Sequence, residues 1–424
     1  MVEKRLLPDA WVVLLLQGLY CSAGALSTVF VSVYLWVNSR DLGVICRHYF
    51  VLFAVIPFFF ILAGWYSQAR DRVHMYRLGL VLHAVFYGTL LLLRERSPEY
   101  AGWLGGFLGL TWGVFWAGAN TFNFDVTVSG QREYFLGLMQ VVGAGVSLVA
   151  PVLSGGIIRY SGDGVVGYHR VFWLVLVLFV ACLGVSLWVP ADSQRRPFKI
   201  GRALFPGRDQ GDWRIMMLVS ASLTGSFTIF PVLLGVLMYV ETSNELAVGG
   251  YGTFQAVAAL VTAYFVGRTV CPSNRRRVLW WGVATLLAAG ATMFVRLNIV
   301  TLFLFGLFRS ISGPLFGIPH SGLNLDIIEK SAEDPAQRIE YLCAWEVPLA
   351  IGRVLMMGLL WVVYAGLGGG EGPVRLMLIL LCAVRVVSYQ LIIRTSPLRG
   401  GVGGGAVLGE PRVADTGTEM SDLK

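Results

Sequence analysis

Long runs of apolar residues, separated by short polar connections, recur along the whole chain of 424 residues. A helix needs about 20 apolar residues to cross the hydrocarbon core of a bilayer. The strands of a membrane barrel are about half that length and alternate apolar with polar residues, so the runs indicate helices. Twelve membrane-spanning helices are predicted over residues 10–37, 44–66, 76–93, 101–122, 135–158, 170–190, 214–240, 247–267, 278–295, 299–322, 341–365 and 374–393.

The composition is typical of an integral membrane protein. Hydrophobic residues make up 56% of the chain and charged residues 14%, whereas soluble domains have about 45–50% and about 25%. The net charge of +8 would suit nucleic-acid binding only if the basic residues formed a face or a stripe. They lie between apolar runs instead, so we expect no nucleic-acid partner.

The positions of the basic residues predict the orientation in the membrane. With both termini in the cytoplasm, the cytoplasmic segments and adjoining helix ends hold 22 Lys and Arg residues, and the outer ones hold 8. An excess of positive charge is typical of cytoplasmic loops. We therefore expect a multi-pass plasma-membrane protein with both termini in the cytoplasm and with anionic lipid of the inner leaflet as a partner.

Neither the cysteines nor the glycine-rich tail indicates a metal or a cofactor. The six cysteines are scattered without a Cys-x-x-Cys pair, which a zinc site or a disulfide framework would need. The tail contains Gly401-x-Gly403-x-x-Ala406, but a dinucleotide site requires a strand before this pattern and a helix after it. We expect no cofactor, no metal and a disordered cytoplasmic tail over 396–424.

The chain contains an internal repeat of six helices. A polar cytoplasmic connection over 191–213 separates residues 1–190 from residues 214–395. Five features recur in order at offsets of 201 to 206 residues, which predicts an all-α membrane protein with two pseudo-symmetric six-helix halves. The matched pairs are Gly24 and Gly225, Gly64 and Gly267, Asp125 and Asp326, Arg132 and Arg338, and Gln140 and Glu346.

Two six-helix halves, a long basic connection and paired acid-and-arginine loops resemble the major facilitator superfamily of secondary transporters. The resemblance extends over about residues 8 to 395. Its most specific motif, Gly-x-x-x-Asp-Arg-x-Gly-Arg-Arg between spans 2 and 3, is degraded here. Asp71-Arg72 keeps the core, His74 replaces the second glycine, and Gly64 lies seven residues before Asp71 instead of four. The resemblance implies a monomer that moves a small molecule by alternating access.

Charged residues at the cytoplasmic helix ends are candidates for a gate. An acid on one half facing an arginine on the other could hold the cytoplasmic side shut while the cavity faces outward. Exposed ion pairs contribute only about 0–1 kcal/mol each, so a set of them forms a latch that can open. Solvated loop charges are the alternative interpretation. The proposed set is Asp71, Arg72, Asp125, Arg132, Asp326 and Arg338.

Ionisable residues at membrane depth are costly and are functional candidates by default. Arg309 lies within span 10 and Arg353 within span 11, and Glu346 lies two turns before Arg353. We interpret the arginines as a positively polarised substrate site and Glu346 as a counter-ion or proton carrier; a structural network is the alternative. Arg385 lies in span 12, which faces lipid in the superfamily, so we expect a structural or snorkelling role for it.

The resemblance implies that spans 1, 4, 7 and 10 line a central cavity. Polar, small and aromatic residues recur on these spans at helical spacing. Aromatic rings and arginines together suit an amphipathic or anionic organic solute. The predicted cavity residues are Gln17, Thr28, Trp112, Trp116, Asn120, Thr224, Phe227, Phe305, Arg309, Phe316 and Arg353.

The predicted function is therefore a secondary active or facilitative transporter of a small organic solute. Proton coupling through Glu346, exchange against a counter-anion and uncoupled diffusion all remain open. An intramembrane enzyme is disfavoured because the chain has no Gly-x-Ser-x-Gly, His-Glu-x-x-His or P-loop motif and only one acid well inside a span. A non-transporting sensor or assembly factor of the same fold is the alternative that the degraded motif favours.

Overall fold

The computed structural model describes residues 8–70, 72–125, 132–162, 164–189, 198–332 and 337–399. Twelve long helices make up most of this part of the chain, and shorter helical turns lie between and after them. The long helices are α1 (Pro8–Ser39), α2 (Leu42–Ala69), α3 (Arg72–Leu93), α4 (Ala101–Asp125), α5 (Arg132–Arg159), α6 (Gly164–Ser186), α7 (Gly211–Thr242), α8 (Glu245–Thr269), α9 (Arg275–Thr292), α10 (Ile299–Ser331), α11 (Arg338–Gly366) and α12 (Glu371–Ile392).

Ten of the twelve helices are long and apolar enough to cross a membrane. The other two are α4 and α9. Glycines at positions 105, 109 and 113 of α4 face α2, where a Cβ at Gly109 would lie 2.5 Å from the carbonyl oxygen of Leu52. Small residues at this spacing let two helix backbones approach closely. The glycines thus lower the hydropathy of α4 and also explain its tight packing on α2.

The helix ends differ from the predicted ones in a few places. α10 continues to Ser331, nine residues beyond the predicted end at 322. The predicted polar connection over 191–213 contains a helical turn at Gly201–Leu204, and α7 already begins at Gly211. These helices extend beyond the apolar runs because backbone hydrogen bonding continues outside the hydrocarbon core.

The start of the predicted disordered tail is ordered. Residues Ser396–Arg399 form a helical turn, and the backbone N–H of Ser396 donates to Asp212 Oδ1 over 2.8 Å. Leu398 is buried. The turn is therefore held against the start of α7, and the rest of the tail lies outside the described residues.

The two halves pack their helices in the same pattern. In the first half α1 contacts α5 and α6, α2 contacts α4, and α3 contacts α4 and α6. In the second half the same contacts recur six helices later, with α7 on α11 and α12, α8 on α10, and α9 on α10 and α12. The predicted internal repeat is thus present in the packing as well.

The halves meet mainly through α2 with α11 and α5 with α8, and also through α1 with α7. We call the face at which α1 begins and α12 ends the terminal face, and the opposite face, at which α1 ends, the distal face. Gly155 and Gly249 lie in the distal parts of α5 and α8, where a Cβ on either would overlap the backbone of the other helix. The halves therefore touch backbone to backbone near the distal face.

Candidate functional site

A cavity of about 350 Å³ lies between the two halves. α1 and α5 form its wall on the first half, and α7, α8, α10 and α12 supply most of the other wall. Apolar rings and prolines alternate there with a smaller set of polar side chains. The polar lining residues are Thr28, Ser147, Tyr251, Gln255, Arg309, Ser310, Ser312 and Arg385.

Arg309 extends from α10 into this cavity, as the sequence predicts for a cavity helix. Its Nη1 donates to Gln255 Oε1 on α8 over 2.8 Å. Its guanidinium carbon lies 5.9 Å from the centre of the Phe230 ring, and Phe305 packs edge-on against that ring at 5.4 Å. The predicted residue Phe305 thus supports the wall from behind, while Gln255 was not predicted.

Arg385 also lines the cavity, although it was not among the predicted cavity residues. Only 3% of the residue is exposed. Its guanidinium carbon lies 4.7 Å from the centre of the Phe227 ring and 4.7 Å from that of the Phe316 ring. Nη2 donates to Ser226 Oγ over 3.2 Å, whereas Nε and Nη1 have no hydrogen-bond partner in the described part of the chain.

The expected snorkelling position of Arg385 is wrong because α12 packs against α7, so this arginine faces the ring of Phe227 instead of lipid. A signal was present in the sequence. Phe227 and Phe316 were predicted as cavity residues, and a mid-span arginine is a natural partner for aromatic faces in a dry environment.

Arg353 and Glu346 lie outside this cavity. Arg353 Nη1 donates to Glu346 Oε2 over 3.4 Å within α11, and its guanidinium carbon lies 5.9 Å from the centre of the Phe53 ring of α2. The pair therefore occupies the contact between α2 and α11. The structure does not bring Arg353 together with Arg309, although both were predicted for one site.

The remaining predicted cavity residues divide into two groups. Thr28 and Phe227 line the cavity, and Phe316 is buried directly beside it under Arg385. Four others do not line it. Gln17 donates to Cys21 Sγ over 3.2 Å, and Thr224 donates to the Ser220 carbonyl. Trp112 packs against the hydrophobic core, and Trp116 contacts Tyr20. The side chain of Asn120 lies outside the described residues.

The predicted cytoplasmic gate is described at one residue only. Asp326 accepts a hydrogen bond from Arg275 Nη1 over 2.7 Å at the terminal face. Both residues belong to the second half, so this ion pair links α9 with α10 and does not join the halves. Asp71 and the side chains of Arg72, Asp125, Arg132 and Arg338 lie outside the described residues.

A polar contact between the halves lies near the distal face, which the sequence did not indicate. Tyr168 at the start of α6 donates its hydroxyl to Glu245 Oε1 at the start of α8 over 3.3 Å. Glu245 is only 7% exposed. This contact lies beside the backbone crossing of α5 and α8 at Gly155, so it adds a polar link between the halves near the distal face.

Two curated proteins are similar to this chain in sequence, and no family model matches it. "Uncharacterized protein YqgE" of Bacillus subtilis (strain 168) is 27% identical over 342 residues, which are 81% of this chain and 79% of that protein. "Uncharacterized protein in sodM 3'region" of Geobacillus stearothermophilus is 32% identical over 193 residues, which are 46% of this chain and 90% of that protein. The chain belongs to the same family as the Geobacillus protein.

Solved structures of transporters have the same architecture. A bacterial homologue of the iron transporter ferroportin in the inward-facing state superposes with a TM-score of 0.65 at 15% identity, covering 92% of this chain and 98% of that one. A POT family transporter in complex with 5-aminolevulinic acid gives a TM-score of 0.71 at 11% identity, covering 92% and 96%. The chain has the major facilitator superfamily fold. The predicted fold, with twelve helices in two halves, is confirmed.

Proposed function

We propose that this protein is a secondary transporter that carries a small organic solute, anionic or amphipathic, by rocking its two halves about the central cavity. The observation that carries the proposal is the cavity itself. It lies between two matched six-helix halves and contains two arginines, and no Asp or Glu is present among its described lining residues.

The charge of the cavity wall favours an anion. Arg309 and Arg385 both face a low-dielectric space, where an uncompensated positive charge is costly and an anion is attracted strongly. Phe227, Phe230 and Pro231 supply apolar surface beside them. Binding sites for small organic molecules combine mostly apolar walls with a few placed polar groups in this way.

A metal cation is the competing cargo, because one protein of the same fold is a ferroportin homologue. The described residues contain no group of three His, Cys, Asp or Glu side chains that could hold a metal ion. Hard cations prefer carboxylate and carbonyl oxygen ligands, whereas the charged groups that line this cavity are guanidinium groups. The side chains therefore favour an organic anion over a metal.

Coupling is proposed to reside in Glu346, which can hold a proton or act as the counter-ion of Arg353. Exchange against a counter-anion at the arginines is the other mechanism that the charges allow. The excess of basic residues in alternate loops supports a plasma-membrane location with the terminal face in the cytoplasm. In the proposed cycle, the six predicted gate residues hold the cytoplasmic side shut while the cavity faces outward. We also propose that the protein acts as a monomer.

Uptake by proteoliposomes tests the proposal. The probes are radiolabelled hippurate, its neutral amide hippuramide, and Mn²⁺, each with and without a pH gradient. We expect saturable, protein-dependent uptake of hippurate and none of Mn²⁺. If purified protein neither bound nor moved any organic anion, the alternative of a non-transporting protein with this fold would be favoured.

A further inference from the structure

Arg385 differs from the other membrane-depth arginines in what surrounds its charge. Arg353 has the carboxylate of Glu346 at 3.4 Å, and Arg309 donates to the amide oxygen of Gln255 at 2.8 Å. Arg385 has one neutral partner, the hydroxyl of Ser226 at 3.2 Å. Two of its nitrogens, Nε and Nη1, are buried without a partner in the described part of the chain.

A buried guanidinium with unpaired N–H groups is costly unless something else supplies the acceptors. The residue is 3% exposed, so bulk water does not solvate it freely. It nevertheless lines the cavity between the halves. An anion in that cavity is the partner that would satisfy both the unpaired donors and the charge.

Two aromatic rings lie beside Arg385. The centres of the Phe227 and Phe316 rings each lie 4.7 Å from its guanidinium carbon, so aromatic surface borders the group. Its Nε and Nη1 have no hydrogen-bond partner in the described part of the chain. A guanidinium group matches the two oxygens of a carboxylate in a bidentate arrangement.

The rest of the cavity indicates the body of the ligand. Its volume is about 350 Å³, and Phe230, Pro231 and Pro314 contribute apolar wall next to the two arginines. This size is at the lower end of the 300–1,000 Å³ typical of small-molecule pockets. The space suits an organic acid with a compact apolar or aromatic body better than a bare inorganic ion.

We propose that Arg385, in the cavity wall beside Phe227 and Phe316, is the residue that binds the carboxylate of an organic acid, with Arg309 as a second positive group in the same cavity. The inference rests on the proposed transport function, because it names the substrate class and the principal ligand-binding residue of that site. It replaces the structural role that the position of span 12 suggested.

Equilibrium binding to the purified full-length protein in nanodiscs tests this assignment. Radiolabelled hippurate is the probe, and hippuramide and inorganic phosphate are the competitors. We expect hippurate to bind the wild type, and neither competitor to displace it. Loss of hydrogen bonds to a charged group weakens binding by about 10- to 100-fold, so Arg385→Gln should lower the affinity for hippurate by that factor.

Two further variants separate binding from folding. Arg385→Lys keeps the charge but removes the planar fork, and should lower the affinity by about 10-fold. Arg375→Gln is the matched control on the same helix, since Arg375 donates to the carbonyls of Met293 and Phe294 and does not line the cavity. The Arg375→Gln variant should bind hippurate with the affinity of the wild type. Elution volume and melting temperature in detergent check that each variant is folded.

The outcomes distinguish this inference from the transport proposal. Wild-type affinity in folded Arg385→Gln would overturn the inference, as would binding of phosphate without hippurate or of hippuramide as tightly as hippurate. Hippurate binding that depends on Arg385 without any uptake by proteoliposomes would support the inference and contradict transport. Uptake of hippurate that is unchanged in Arg385→Gln would support transport and contradict the inference.

Discussion

At the residue scale, Arg309, Arg353 and Arg385 lie at membrane depth in three different environments. Arg353 is paired with a carboxylate on its own helix, Arg309 with an amide on a neighbouring helix, and Arg385 with two aromatic rings and a serine hydroxyl. The same residue type therefore has different partners. Arg385, whose hydrogen-bond partner is neutral and whose Nε and Nη1 have no partner in the described part of the chain, is the one we expect in a binding site.

Glu346 provides a prediction at this scale. Glu346→Gln removes the carboxyl group that could carry a proton and leaves Arg353 without its carboxylate partner. Because an amide cannot carry the proton, we expect hippurate uptake to lose its dependence on a pH gradient, while uptake by exchange continues. Proteoliposome uptake with and without the gradient measures this. The control is Glu371→Gln at the exposed start of α12. If gradient-driven uptake were equal in Glu346→Gln and the wild type, Glu346 would not be the proton carrier.

At the element scale, the crossing of α5 and α8 near the distal face depends on glycines. Gly249 packs against the backbone of Pro151, and Gly155 packs against the backbone of Glu245. Close approach of two helices requires small residues at the contact. Beside this crossing, the Tyr168 hydroxyl of α6 donates to Glu245 of α8, so α8 is held to the first half by both packing and a polar contact.

Gly249→Val should open this crossing. Extra methyl groups in a tight contact cost about 1–3 kcal/mol, which here would disfavour the close approach of the two halves near the distal face. In a cysteine-free background with Ser147→Cys in the cavity wall, we expect faster labelling by an impermeant maleimide from the distal side, and slower uptake. Gly250→Val is the matched control, because a Cβ there meets nothing within 4 Å. Equal labelling rates in the two variants would show that the crossing does not close the distal side.

At the scale of the whole molecule, the repeat of packing partners six helices apart makes the protein two similar bodies joined across a cavity. Among the described residues, the contacts between them are concentrated in a few helix pairs, chiefly α2 with α11 and α5 with α8. In the proposed transport cycle, one half would move as a rigid body against the other and alternate access to the cavity, while the packing within each half is conserved.

The orientation of the whole molecule can be tested at Cys271. This thiol lies in the exposed connection between α8 and α9 at the terminal face, and the other five cysteines are buried or half-buried. Hydrogen bonds from the Ser273 side chain and the Asn274 backbone lower the pKa of the Cys271 thiol. A lowered pKa increases the thiolate fraction near neutral pH, so labelling should persist at a lower pH than for an ordinary thiol.

An impermeant maleimide should label Cys271 in inside-out vesicles and not in intact cells, if the terminal face is cytoplasmic as the basic residues predict. Cys271→Ser is the control that identifies the labelled site. Labelling of intact cells at this position would reverse the orientation assigned from the charges.

The number of helices and their division into halves were predictable from sequence, with small errors at the helix ends such as the longer α10. In the bilayer each backbone must satisfy its hydrogen bonds within one helix, so hydrophobic length alone defines a span. The candidate site was predictable only in part. Arg309, Thr28 and Phe227 line the cavity, whereas Arg385 was assigned a structural role and Gln255 was missed.

The architecture follows from the sequence, because the hydrophobic length of a spanning helix is a local property of one segment. Which side chains share the cavity follows from the tertiary structure alone. Phe227, Phe316 and Arg385 come from α7, α10 and α12, and their meeting depends on how each helix is rotated against its neighbours. That rotation is set by packing between distant segments, such as α12 on α7, and no local pattern in one helix specifies it.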